Sequence, residues 1–173
     1  GPHLDAYKTL AANCGISDVT VFTGMANDAE LNRHYAESHL FCVPSAYEGG
    51  PIVLVEAFAR GLPVVGFEGC RSVASAIHAN NAGLLASEMT AASLLQQLYA
   101  LMKNARLRGV LGQNALRASA QFSLDAVLPL WEKLVCEIAA RKGKTRLTFD
   151  LSPVSERRAR TTLQAIVTKT FPL

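Results

Sequence analysis

Along the first ninety positions, apolar residues fall into short blocks that alternate between two spacings. Leu4 to Cys14 has helical spacing, with Leu4, Tyr7, Leu10 and Ala11 on one side and Gly15 as the stop. Val19-Thr20-Val21-Phe22 is a short β-rich run that ends at Gly24. Asp28 is placed to cap a helix reaching about His39, with Leu31, Tyr35 and Ala36 inward. Leu40 to Val43 is continuously apolar and stops at Pro44, as in a strand buried on both faces. Pro51 stands where a first helical residue belongs, and a helix from Ile52 to Arg60 is ended by Gly61. Pro63 to Gly66 predicts another strand, Ser72 to Asn80 a short helix, and Gly83 to Ala86 a last strand.

From Thr90 the pattern is helical only. Leu94, Leu95, Leu98, Leu101 and Met102 form one stripe. Leu107 to Ala120 predicts a second helix, and Leu124 to Ala140 a third that contains Trp131. Strands and helices that alternate, with short buried strands, predict an α/β fold. Its core is a Rossmann-like, doubly wound parallel sheet followed by C-terminal helices.

Composition fits this picture. The chain has 173 residues, half of them hydrophobic and 18% charged, which suits a globular domain with a core. No apolar run reaches the ~18 residues of a membrane-spanning helix, and no signal-peptide pattern opens the chain. The four cysteines, Cys14, Cys42, Cys70 and Cys136, show no metal or redox spacing. They read as reduced, mostly buried thiols of a cytoplasmic protein. The histidines show no metal-ligand spacing either. Gly1-Pro2-His3 is compatible with native sequence or with a protease scar.

Charge divides the chain. The formal net charge is only +3, too little to imply nucleic acid. Residues 141–173 hold eight basic and two acidic residues, a net +6, which leaves 1–140 at −3. The expected organisation is an acidic body, 1–140, and a basic C-terminal extension, 141–173. Within the extension, Ser152-Pro153 would start a helix bearing Leu163, Ile166 and Val167. A solvated extension and contact with an anionic membrane surface both fit it. RNA does not, because Phe149 is the only aromatic residue in 141–160.

The stretch Val43 to Gly66 carries the candidate chemistry. A strand ends at Pro44, a turn carries Glu48, Gly49 and Gly50, and a helix begins at Pro51. Ligands of open parallel sheets bind beyond the carboxyl ends of strands, where this turn belongs. The N–H groups of Gly50, Ile52 and Val53 would face outward at a positive helix end, suited to a diphosphate. Glu56 stands about 7.5 Å further along the helix at 1.5 Å per residue. Its two oxygens match the paired hydroxyls of a ribose, and Glu48 is placed to accept from sugar hydroxyls. By spacing alone, a solvated glutamate on an exposed helix face is the better reading of Glu56, because two glutamates eight positions apart are common by chance.

The string P-S-x-x-E-G-G-P followed by E-A-x-x-x-G-x-P-V-V resembles the C-terminal donor-binding domain of retaining GT-B glycosyltransferases, the group 1 or family 4 class. Glu48 and Glu56 match that family's glutamate, seven residues, glutamate signature. Val19 to Gly24, Leu40 to Ser45, Gly69 to Val73 and Asn81 to Leu85 resemble neighbouring family segments, so the likeness covers about residues 1–140. The resemblance implies a donor domain that binds a nucleotide-sugar for retaining transfer to a glycan or lipid-linked acceptor. It implies that Glu48, the catalytic candidate, faces the transferred sugar and that Glu56 binds the donor ribose. It implies that the backbone of Gly49, Gly50, Pro51, Ile52 and Val53 holds the diphosphate, with Met25, Ala26 and Asn27 near the base. No metal or other cofactor is expected.

The pattern departs from the family at Ser75, where a glutamate is common, and at Cys70, which replaces a glycine. The resemblance also implies that the family's first two strands, and an arginine and a lysine they carry, precede residue 1. The chain is then half of a GT-B fold without its first strands, and the partner it lacks is an N-terminal domain. The strand at 19–22 would lose its only neighbour, leaving backbone groups unpaired and apolar edges open. Two carboxylates and a diphosphate would also crowd one pocket. Like charges 4 Å apart repel by about 4 kcal/mol at an effective dielectric near 20. Arg60 reads as compensation of its helix dipole. The isolated chain is therefore expected to bind donor weakly or not at all and to be inactive, and the enzyme to act in the cytoplasm or peripherally at the inner membrane face. Two other classes stay open: a non-catalytic GT-B-like remnant or interaction module, and another GT-B enzyme such as a nucleotide-sugar epimerase. The Gly-x-Gly-x-x-Gly fingerprint of a dinucleotide-binding domain is absent.

Overall fold

The structure, a computed structural model, describes residues 2–141. The basic extension after Arg141, with its expected helix at Ser152-Pro153, lies outside the described residues. The chain divides into one compact unit, Gly1–Ser123, and a second from Leu124 onward.

The first unit is built on a three-stranded parallel sheet in the order β1 (Phe41–Cys42), β2 (Val64–Phe67), β3 (Gly83–Ala86). In register, Phe41 faces Val64, which in turn faces Gly83. β2 is buried along its whole length, as its run Val-Val-Gly-Phe requires. Val64 packs with Val73 and Ile77 of α4 (Arg71–Asn80), whereas Val65 packs with Leu101 of α5 (Ala91–Lys103). The sheet is thus covered on both faces, and the alternation of Val64 and Val65 across the pleat puts one on each side.

α3 (Ile52–Ala59) connects β1 to β2 and buries Leu54, Ala57 and Phe58, spaced three and four apart. It ends where Gly61 takes φ +67°. The Leu62 N–H then returns to the Ala57 carbonyl at 3.0 Å and the Gly61 N–H to Phe58 at 2.9 Å. α4 closes the same way, with Asn81 in the left-handed conformation and the Ala82 N–H on the Ile77 carbonyl. Both closures turn the chain directly into the next strand. α6 (Ala105–Ser119) lies close against the end of α3, and a side chain at Gly112 would overlap the Gly61 carbonyl. α1 (Leu4–Asn13) and α2 (Asp28–Glu37) precede the sheet. In the second unit, α7 (Leu124–Arg141) contains Pro129. No described helix is long and apolar enough to cross a membrane.

Several expectations are corrected. No strand forms at 19–22: Ser17–Val19 is a turn of 3-10 helix, and the residues after it pair with no strand among the described residues. Val19 and Val21 are 81% and 82% exposed. A β-rich tetrapeptide is a strand only when a neighbour takes its N–H and C=O groups. Asn27, not Asp28, caps α2. Its side chain accepts from the Glu30 N–H and the Glu30 carboxylate accepts from the Asn27 N–H, both at 3.0 Å. Pro51 precedes α3 as its cap rather than opening it as the first helical residue. The α5 stripe is narrower than expected, since Leu95 and Met102 are exposed while Leu101 is buried. Of the cysteines, Cys70 is buried, Cys42 and Cys136 are half-buried and Cys14 is exposed.

Candidate functional site

The glycine turn follows β1 and leads into α3. Glu48 is half-buried there, and its carbonyl accepts from the Ser72 hydroxyl of α4 at 2.6 Å. Ser72 therefore ties the turn to the first turn of α4. Gly49 and Gly50 are exposed, and a side chain at either would meet open space. The helix start differs from expectation. The Ile52 N–H closes onto the Gly50 carbonyl at 2.9 Å, which removes it as an outward donor. Among the described residues, no main-chain carbonyl takes the N–H of Gly50 or Val53. Two of the three expected anion donors remain, at the positive end of α3.

Glu56 sits in a cleft of about 300 Å³ between α2 and α3, lined by Asp28, Leu31, Asn32, Tyr35, Glu56, Ala59 and Arg60. The Tyr35 hydroxyl donates to Oε2 of Glu56 at 2.9 Å. The Tyr35 ring is buried and packs on Phe41 with centroids 5.8 Å apart. Burial pushes the Tyr35 pKa up to about 12, helped by the hydrogen bond to Glu56 and by its charge and opposed by Arg60. The phenol therefore stays a donor throughout the neutral range. Arg60 stands at the C-cap position of α3, and its guanidinium reaches α2 and donates to Asn32 Oδ1. It faces the cleft, where it supplies a cation.

The predicted site residues are thus only partly gathered. Glu56 lines the cleft, whereas Glu48 stands in the turn before α3 and is not among the lining residues. Met25 is 98% exposed, Ala26 is half-buried, and Asn27 is engaged as the α2 cap. Sequence reasoning passed over Tyr35 as a site residue. A usable signal was present, because Asp28, Leu31, Asn32 and Tyr35 share one helix face at spacings of three and four. Asp28 and Asn32, polar residues on the face that carries Leu31 and Tyr35, mark it as more than core. Outside this region, His78 pairs with Glu68 at 2.9 Å on an exposed surface. No group of three or more potential metal ligands occurs among the described residues.

Comparison with known proteins points in one direction. The model of the family Glycosyl transferases group 1 matches residues 1–118. An exopolysaccharide phosphotransferase of Streptomyces coelicolor is 29% identical over 147 residues, 84% of this chain and 15% of its own length. A GDP-mannose-dependent alpha-(1-6)-phosphatidylinositol monomannoside mannosyltransferase of Mycobacterium tuberculosis is 38% identical over 72 residues, 38% of this chain and 19% of its own. The crystal structure of WaaG, a glycosyltransferase involved in lipopolysaccharide biosynthesis, is similar with a TM-score of 0.60. It is 26% identical over 67% of this chain and 31% of WaaG. The chain spans less than a third of the length of each.

Proposed function

The chain belongs to the group 1 glycosyl transferases, and from that premise we propose that it is the nucleotide-sugar-binding part of a retaining glycosyltransferase. The observation that carries this reading is the cleft between α2 and α3. It presents the carboxylate of Glu56, anchored on one oxygen by Tyr35, beside the cation of Arg60. A carboxylate with an unfilled acceptor oxygen suits the hydroxyls of a donor ribose. In this reading the N–H groups at the start of α3 receive the diphosphate, and Glu48 in the turn faces the transferred sugar. The residues around Met25, Ala26 and Asn27 border the base. As the sugar leaves, charge grows on the diphosphate, and the end of α3 opposes it without a bound metal. The acceptor is a glycan or a lipid-linked saccharide, met in the cytoplasm or at the inner face of a membrane. Its binding surface lies on further polypeptide, in keeping with the small share of each relative that this chain spans.

The 173-residue chain should therefore hold a nucleotide-sugar weakly and transfer nothing by itself. A Kd near ~1 mM corresponds to about −4 kcal/mol. Saturation-transfer NMR with UDP-, GDP- and ADP-sugars at millimolar concentration tests this. The expected result is contact from the ribose protons of one donor, lost in Glu56→Ala. Silence from every donor overturns the donor reading. Micromolar affinity, or sugar transfer by the chain alone, overturns the claim that it is incomplete.

A further inference from the structure

Glu56 has two oxygens, and the protein engages them unequally. Oε2 accepts the Tyr35 hydroxyl at 2.9 Å, whereas Oε1 has no protein partner among the described residues. The torsion that orients a glutamate carboxylate has a broad, shallow preference. A single directed hydrogen bond therefore decides which way the second oxygen faces. Tyr35 is suited to give that direction, because its ring is 8% exposed and rests against Phe41. The Arg60 guanidinium binds Asn32 of α2 separately. α2 and α3 thus stay joined when the Tyr35 hydroxyl alone is removed.

We propose that Tyr35 is a positioning residue, whose hydroxyl fixes Oε2 of Glu56 so that Oε1 is left to accept from a hydroxyl of the donor ribose. The proposal rests on the reading of Glu56 as the ribose-binding group, and it adds a division of labour between the two oxygens. It separates Tyr35 from a residue that merely fills space. A space-filling tyrosine contributes equally to every ligand of the cleft, and a positioning one only to ligands that bear the hydroxyl.

The test compares UDP and GDP with their 2′,3′-dideoxy counterparts, titrated by NMR into the full chain. The wild type should favour the ribonucleotide by about tenfold, the worth of a hydrogen bond to a charged acceptor. Tyr35→Phe should reduce that preference to about threefold or less while leaving dideoxynucleotide binding within about twofold. On a Glu56→Ala background, Tyr35→Phe should change nothing further, since the pair acts as a unit. If the wild type shows no ribose preference, the assignment of Glu56 falls and this inference with it. If the preference exists and Tyr35→Phe retains it, the assignment stands and Tyr35 positions nothing. If Tyr35→Phe weakens both nucleotides alike, Tyr35 is packing only, and the inference is overturned.

Discussion

Burial and a neighbouring carboxylate act in the same direction on the phenol of Tyr35. Both raise its pKa, from 10.0 to about 12, with burial the larger cause. The other three tyrosines, Tyr7, Tyr47 and Tyr99, are exposed. A spectrophotometric titration should therefore show one phenol, that of Tyr35, ionising near pH 12. Glu56→Gln should bring it down, and Arg60→Gln should push it further up, because Arg60 opposes the shift. Stability follows with a definite sign. A folded-state pKa above the unfolded value contributes fully below about pH 10 and is lost as pH rises towards 12. Urea unfolding across that window should show the fall in wild type and a smaller one in Glu56→Gln. At this scale the sequence made Glu56 legible, because it belongs to a patterned string. Tyr35 was legible only as an inward residue, since its partner lies 21 positions away. No local spacing records such a pairing.

The strands and helices were legible wherever one chain segment determines its own structure. Gly83 to Ala86 forms as read, and the helices of 52–60, 72–80 and 107–120 differ by a residue or two at their ends. The failure at 19–22 has a different origin, because β-rich composition expresses fitness for a sheet, and the sheet partner is a tertiary fact. The pairing of β2 with β3 shows how narrow such a fact is. Gly83 lies so close under Val64 that an added Cβ would overlap the Val64 carbonyl. That atom is main chain within a ladder and has no rotamer by which to yield. Gly83→Ala is expected to destabilise by about 3 kcal/mol, the upper range for overpacking a core. Ala82→Gly, one position earlier in the chain, should cost less. Denaturant midpoints at unchanged slope would check both.

For the molecule as a whole, the described sheet ends at β1, which pairs with β2 only among the described residues. The segment after Val19 exposes Val21 and Met25, and Phe22 stands partly exposed beside them. Exposed apolar side chains beside an unpaired sheet edge favour association. Sedimentation velocity should show the 173-residue chain as concentration-dependent oligomers, and Val21→Lys should shift it towards monomer. A monodisperse wild-type monomer would contradict this. Charge, read from sequence, sets 141–173 apart by composition, and nearly all of that stretch lies outside the described residues. One further consequence concerns α2. Tyr35 is the only buried residue of that helix, so its attachment depends on one ring and on two side-chain links to α3. α2 is thus a separately detachable segment whose opening free energy lies below that of the sheet. In amide hydrogen exchange, Tyr35→Ala should leave the slow protons of Val64 to Phe67 protected while those of α2 exchange freely. Bound nucleotide should slow exchange in α2 before it slows any other element.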